Sequence, residues 1–240
     1  MFLAFSGGKD SLTVAHLCEP WGDRLTLLWC DTGHMAPHMS DFVQSHRERF
    51  SLIKVQPQRP LMDHWAEHGA PADLIPLEHL EGVDWRYPRL QPWSVCCGTH
   101  RTWPLVEFLK QQSAPCAFLA GQRQQDQGAN VTGIRGLMPG HVEFGLPLWG
   151  WTDADVLAFV AQEGIQLQPH HATCGTSIEC IICPANLSRE KMNLLDRHYP
   201  AEADFVRRLA SHSLGLAAAK ANEIMGVING TGTAEREGVR

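Results

Sequence analysis

Six residues near the start of the chain, Ser6-Gly7-Gly8-Lys9-Asp10-Ser11, constrain its fold more than any other feature. They follow a short apolar run, Met1 to Phe5, and lead into Ser11 to Cys18, which reads as a helix with Leu12, Ala15 and His16 bracketing its inner face. A strand running through a glycine turn into a helix makes an anion cradle. The glycines let the backbone turn tightly, and successive N–H groups join the helix N-terminus in facing the ligand. Lys9 adds positive charge, and Ser6 and Ser11 add hydroxyl donors. The loop is not the longer G-x-x-x-x-G-K-[ST] wrap of ordinary ATPases.

The stretch that follows keeps the same rhythm. Leu25 to Cys30 reads as a buried strand closing at Asp31-Thr32-Gly33, residues 38–50 as an amphipathic helix, and Leu52 to Val55 as a third strand. This alternation predicts an α/β fold with a doubly wound, mostly parallel sheet. Residues 56–95, rich in Pro and Trp, are expected to form loops and short helices over the sheet edge. Trp103 to Gln112 should be a helix, Cys116 to Ala120 a strand ending at Gly121-Gln122-Arg123, and residues 124–141 a mobile loop. Thr152 is the expected N-cap of a helix from Asp153 to Glu163, with Asp153 and Asp155 in its first turn. After Pro169 the pattern predicts helices through Ala221.

With 44% hydrophobic and 19% charged residues, the 240-residue chain can bury a sizeable core and is not a disordered polymer. No apolar stretch is long enough to span a bilayer. Met1 to Phe5 lacks a basic region and a cleavage site, so a cytoplasmic location with no membrane association is expected. The net charge of -6 does not advertise a nucleic-acid binder. Arg86, Arg89 and Arg101, and Arg197, Arg207 and Arg208, are the local basic exceptions.

Eight cysteines in such a chain are expected to be reduced thiols. Cys18, Cys30 and Cys116 read as small core residues, and Cys174 carries no assignment. The other four form two close pairs, Cys96-Cys97 and Cys180-x-x-Cys183. Four soft thiolates suit either a [4Fe–4S] cluster or structural zinc, although an adjacent pair fits the usual zinc knuckle poorly. His170 and His171, just before the second pair, read as structural rather than as ligands.

The hexapeptide resembles the PP-loop of the ATP pyrophosphatase superfamily. The rest of the chain resembles one branch of it, the phosphoadenosine phosphosulfate reductase-like family. The matching features are Asp31-Thr32-Gly33, Cys96-Cys97 followed by Arg101 and Pro104, Gly121-Gln122-Arg123, Pro147-Leu148-x-x-Trp151-Thr152 and Cys180-x-x-Cys183. The resemblance implies an adenine nucleotide alpha hydrolase-like, Rossmann-like domain over residues 1–168. A cluster-binding and helical C-terminal segment would follow over 169–228, and the small, polar stretch 229–240 reads from its composition as a disordered tail. It implies cleavage of ATP between the α- and β-phosphates, with Lys9, Asp10 and Arg123 catalytic. Ser6, Gly7, Gly8, Lys9, Asp10, Ser11, Asp31, Gly121 and Arg123 would bind ATP and Mg²⁺, and Arg135 would be a further phosphate contact. Cys96, Cys97, Cys180 and Cys183 match the arrangement by which adenylyl-sulfate reductases hold a [4Fe–4S] cluster.

Within that family three functions compete. A sulfonucleotide reductase needs a thiol nucleophile, usually in a C-terminal Glu-Cys-Gly-x-His motif, and no cysteine follows Cys183. A sulfate adenylyltransferase explains the intact loop and leaves the four thiols idle. An adenylating enzyme of sulfur insertion, as in DNA phosphorothioation or tRNA thiolation, uses both. Its expected partners are a cysteine desulfurase as sulfur donor, a DNA or tRNA acceptor held through partner subunits, and a second copy of the chain in a homodimer. A non-catalytic nucleotide- or cluster-binding protein is the remaining alternative.

Overall fold

The computed structural model describes residues 1–72, 90–126, 135–174, 178–185 and 187–230. Five parallel strands form the central sheet: β1 (Phe2–Ala4), β2 (Thr26–Cys30), β3 (Ser51–Val55), β6 (Cys116–Leu119) and β7 (Val142–Gly145), in the order β3-β2-β1-β6-β7. β4 (Ala70–Ala72) and β5 (Leu90–Pro92) pair in parallel as a separate small sheet.

Successive residues of β2 point to opposite faces, and both faces are covered, so Leu27, Leu28 and Trp29 are all buried. On one face, Leu3, Leu27, Trp29 and Leu52 pack against helices α1 (Lys9–Leu17), α2 (Pro37–Ser45) and α6 (Asp153–Gln162). On the other, Leu28, Phe118, Val142 and Phe144 pack against Leu109 of α5 (Trp103–Lys110). Helices on both faces of a parallel sheet make the doubly wound fold read from the sequence.

Helix α1 starts at Lys9, two residues before the predicted start, and buries Ser11 through Ala15 rather than one narrow stripe. It lies between the sheet and α6, so most of its circumference is covered. Helix α6 begins as read: the Thr152 hydroxyl accepts from the Asp155 amide, and the Asp155 carboxylate accepts from the Thr152 amide. The segment read as loops and short helices holds α3 (Leu61–His68), β4 and β5. Residues 73–89, with Arg86 and Arg89, lie outside the described residues. So do 127–134 of the expected mobile loop and 231–240 of the expected tail. Strand β7 falls within the stretch after that loop and was not read from the sequence. Its run Val142-Glu143-Phe144-Gly145 is short, and Val142 and Phe144 alternate onto the core face.

After α6 the chain returns across the loop end of the sheet. Helices α7 (Arg189–His198) and α8 (Pro200–Ile228) pack through Leu194, Leu195, Ala203 and Val206 on Ile178 and Ile181 and on Ala36 and Met39 at the start of α2. Cys174 is 1% exposed in this second core. No helix among the described residues is long and apolar enough to cross a membrane.

Candidate active site

In an open parallel sheet, ligands bind outside the carboxyl ends of the strands where the strand order reverses. Here the chain winds outward from β1 through β2 to β3, then returns to β6 and β7 on the other side of β1. The reversal lies between β1 and β6, and the loops leaving these strands carry Ser6–Ser11 and Gly121–Arg123.

The phosphate loop is held in shape from two sides. Gly7 has φ +74, a conformation that favours glycine, and a Cβ there would meet Gln168 Nε2 at 2.8 Å. That nitrogen, on a side chain 2% exposed, donates to the Gly7 carbonyl over 2.9 Å. Inside the loop the Ser11 hydroxyl donates to the Gly8 carbonyl. Gly121 presses against α1: a Cβ on it would lie 2.9 Å from the carbonyl carbon of Asp10 and 3.0 Å from its oxygen. Gly121 therefore lets β6 approach the first turn of the helix.

Lys9, Asp10 and Arg123 are brought together. Lys9 Nζ lies 3.0 Å from Asp10 Oδ2 and 2.9 Å from Asp153 Oδ1. Arg123, with a side chain 6% exposed, reaches Asp153 at 2.6 Å, Asp10 at 3.3 Å and Asp126 at 3.3 Å. Burial opposes the charge on Arg123, and the bond to Asp153, with Asp10 and Asp126 behind it, outweighs burial and raises its pKa. The Lys9 and Arg123 hydrogen bonds hold the Asp153 carboxyl below the usual carboxylate range. Asp153, which the sequence offered only as a helix-dipole partner, is thus the hub of this network. Its one legible signal is its place at the first residue of α6.

Asp31 stands at the end of β2, where it accepts from the Gly33 amide over 2.9 Å and pairs with Lys54 at 3.1 Å. Arg135 is exposed. Of the distant basic group, Arg207 pairs with Asp196 and Arg208 with Asp204.

A cavity of about 950 Å³ opens at the reversal point. Its walls include Ser6, Asp10 and Ser11 of the loop, Gly121 and Gln122 after β6, and Trp29 and Cys30 of β2. Cys30, read as a core residue, lines this cavity: its thiol donates to the His100 carbonyl, and burial pushes it up to about 12. Trp29, Trp93 and Trp103 also line it, whereas Trp151 of the Pro147-Leu148-x-x-Trp151-Thr152 run packs on Phe159.

Of the four paired cysteines, Cys97 lines this cavity. Cys96 and Cys97 end α4 (Trp93–Cys97), and a wide π-turn, Gly98–Thr102, joins it to α5. Cys180 has φ +51, which costs a non-glycine residue roughly 1–3 kcal/mol, and starts a tight turn closed by the Cys183 amide on its carbonyl. The Ile181 amide ties that turn to the His34 carbonyl, just past Asp31-Thr32-Gly33. Cys96, Cys97, Cys180 and Cys183 all line a second cavity of about 330 Å³. Trp93, Cys97, Arg101 and Glu179 line both cavities, and Arg101 and Glu179 form an ion pair between them. Burial raises the Cys97 thiol and pushes Cys96 up to about 12 and Cys180 up to about 11. Such thiols lose their protons when metal binds. Among the described residues, no three His, Cys, Asp or Glu side chains converge closely enough to hold a single metal ion.

Comparison with known proteins bears on the chain as a whole. The phosphoadenosine phosphosulfate reductase domain family matches residues 1–186. Comparison with curated proteins gives no match. Among solved structures, a phosphoadenylyl-sulfate reductase from Candida auris in a phosphate complex is similar at TM-score 0.45 and 16% identity, covering 70% of this chain and 74% of that one. A predicted tRNA methyltransferase subunit from Methanocaldococcus jannaschii has TM-score 0.45 and 16% identity, covering 67% and 73%. A U34-tRNA thiolase from Methanococcus maripaludis with its [4Fe–4S] cluster has TM-score 0.42 and 14% identity, covering 90% and 72%.

Proposed function

We propose that this chain, which belongs to the phosphoadenosine phosphosulfate reductase domain family, is an ATP pyrophosphatase that adenylates an acceptor for sulfur insertion, in nucleic-acid thio-modification. The observation that carries the reading is the shared wall. One side of the larger cavity is an intact phosphate loop, and the other, at Cys97 and Arg101, is the edge of the four-thiol cavity.

The loop's part is electrostatic. The amides at the start of α1, with Lys9 and Arg123, would hold the triphosphate and stabilise charge developing on the departing pyrophosphate. Both cations already rest on carboxylates, Asp10 and Asp153, so an entering phosphate would exchange for an existing anion rather than capture a bare charge. In this reading Asp10, which lines the cavity, and Asp31, at the end of β2, are the carboxylates assigned to Mg²⁺. Adenylation converts a poor oxygen leaving group on the acceptor into AMP, which sulfur then displaces.

Cys96, Cys97, Cys180 and Cys183 would hold the [4Fe–4S] cluster, which when bound would carry or orient sulfur. What supports a cluster over zinc is the donor set: four cysteines line one cavity, and an adjacent Cys96-Cys97 pair fits the usual zinc knuckle poorly. The reductase alternative needs a reactive thiol, and Cys174, at 1% exposure in an apolar core, is a poor one. The sulfur donor in this reading is a cysteine desulfurase. In this reading partner subunits hold the DNA or tRNA, in keeping with the chain's own acidic balance.

The test is AMP and pyrophosphate formation from ATP by anaerobically purified protein, with and without DNA or tRNA. Stimulation by one nucleic acid names the acceptor class. Adenylyl sulfate binding without pyrophosphate release returns the protein to the reductase or binding-protein reading.

A further inference from the structure

Lys191 is 1% exposed, in the first turn of α7, and lines the four-thiol cavity. Burying an ammonium costs several kcal/mol unless an opposite charge or strong hydrogen bonds compensate. Among the described residues, the contacts of its Nζ are the carbonyls of Cys183 at 3.4 Å and Ala185 at 3.5 Å, both long for hydrogen bonds. The cavity's other cation, Arg101, is already paired with Glu179. One buried lysine therefore lines the four-cysteine cavity, its Nζ against the Cys183 and Ala185 carbonyls, with no carboxylate paired to it among the described residues.

A thiolate-bound cluster would supply the missing negative charge. A [4Fe–4S]²⁺ core with four thiolates sums to a net charge of about −2, and one-electron reduction makes it more negative. A fixed cation against the ligand turn offsets part of that charge, and most strongly in the reduced state. Net charge and hydrogen bonding near the sulfurs are among the levers that set a cluster's potential.

We infer that Lys191 is the fixed counter-cation of the cysteine-bound cluster, a positioning residue that holds the Cys180–Cys183 turn and sets the potential of the centre. The inference rests on the cluster reading above. It goes beyond it in assigning an electrostatic task to a residue on a separate helix, outside both cysteine pairs.

The experiment compares Lys191→Met, Lys191→Gln and Lys191→Arg with the wild type. All are purified anaerobically, checked for folding by circular dichroism, and titrated for midpoint potential by electron paramagnetic resonance. Gln keeps a donor for the two carbonyls and removes the charge, whereas Arg keeps both. Lys191→Gln and Lys191→Met are expected to lower the reduction equilibrium constant tenfold or more, a 59 mV negative shift for one electron, with Lys191→Arg restoring the wild-type value. Loss of the cluster in the two neutral variants, with the fold kept and Arg rescuing it, supports the same role. A Lys191→Gln cluster with the wild-type potential and iron content overturns it and leaves a lysine that only caps carbonyls. A wild-type protein that holds zinc and no iron overturns the cluster reading instead, and this inference with it.

Discussion

The Lys9 ammonium lies 2.9 Å from the Asp153 carboxylate, and each residue is the first of its helix, α1 and α6. Two helix N-termini, both favourable to negative charge, thus converge on one carboxylate. Asp153 occupies the kind of position an incoming phosphate would seek. Its side chain is 55% exposed, so the competition takes place in a solvent-screened setting.

Removing that competitor should strengthen anion binding. At about 4 Å in water, two like charges repel by about 1 kcal/mol, roughly fivefold in affinity. Asp153→Asn should therefore bind pyrophosphate about fivefold more tightly by calorimetry. Weaker binding would show that Asp153 serves to orient Lys9 and Arg123 and does not compete with the ligand.

Gly121→Ala tests how closely β6 and α1 must approach. The added Cβ would meet Asp10 backbone atoms, which cannot swing aside as a side-chain tip can. A loss of about 1–3 kcal/mol in unfolding free energy is expected, the usual cost of overpacking. The same substitution at Gly136, where a Cβ would meet nothing within 4 Å, should be nearly silent. Equal stability of the two variants in urea would refute the close approach.

His170 should make stability depend on pH. Burial first, then His171 and His38, lower its pKa to about 4, and the residue is 4% exposed. Between about 4 and its ordinary value near 6.5 the unfolded chain binds the extra proton, so stability rises with pH across that window. The contribution is complete above about pH 6.5 and amounts to roughly 3 kcal/mol at most. Melting curves of the wild type should fall in temperature from pH 6.5 toward 4, and His170→Asn should fall less steeply. Parallel slopes would remove His170 as the cause.

Cys180→Ser should lose the iron–sulfur chromophore, whereas Cys18→Ser, buried in the main core beside Leu12 and Val14, should keep it. Iron and acid-labile sulfide on anaerobic protein are expected at about four each per chain. Stoichiometric zinc without a brown colour would contradict the cluster.

Much of this arrangement was legible because it depends on local pattern. Residues 6–11 announce a strand, a turn and a helix in six positions, and Thr152 with Asp155 announces a helix start. The pairing of Cys96-Cys97 with Cys180-x-x-Cys183 was legible as chemistry through the family resemblance. What could not be read depends on distance in space. Asp153 meets Lys9 only because α6 packs on α1, and Gln168 reaches Gly7 only because the chain after α6 returns over the loop. Nothing in the local sequence marks Lys191, which the packing of α7 buries beside the cysteines. Cys30 reads as core from its apolar neighbours, yet it ends β2, where the sheet gives way to the cavity.

The measurement that bears most directly on the central claim is pyrophosphate release from ATP and Mg²⁺ by anaerobically purified wild type and Lys9→Ala. The wild type should form AMP and pyrophosphate. The variant should keep the fold and lose about 100- to 1000-fold in rate, the usual cost of one transition-state charge contact. Wild-type turnover in Lys9→Ala would contradict the assignment of the loop as the site of ATP cleavage.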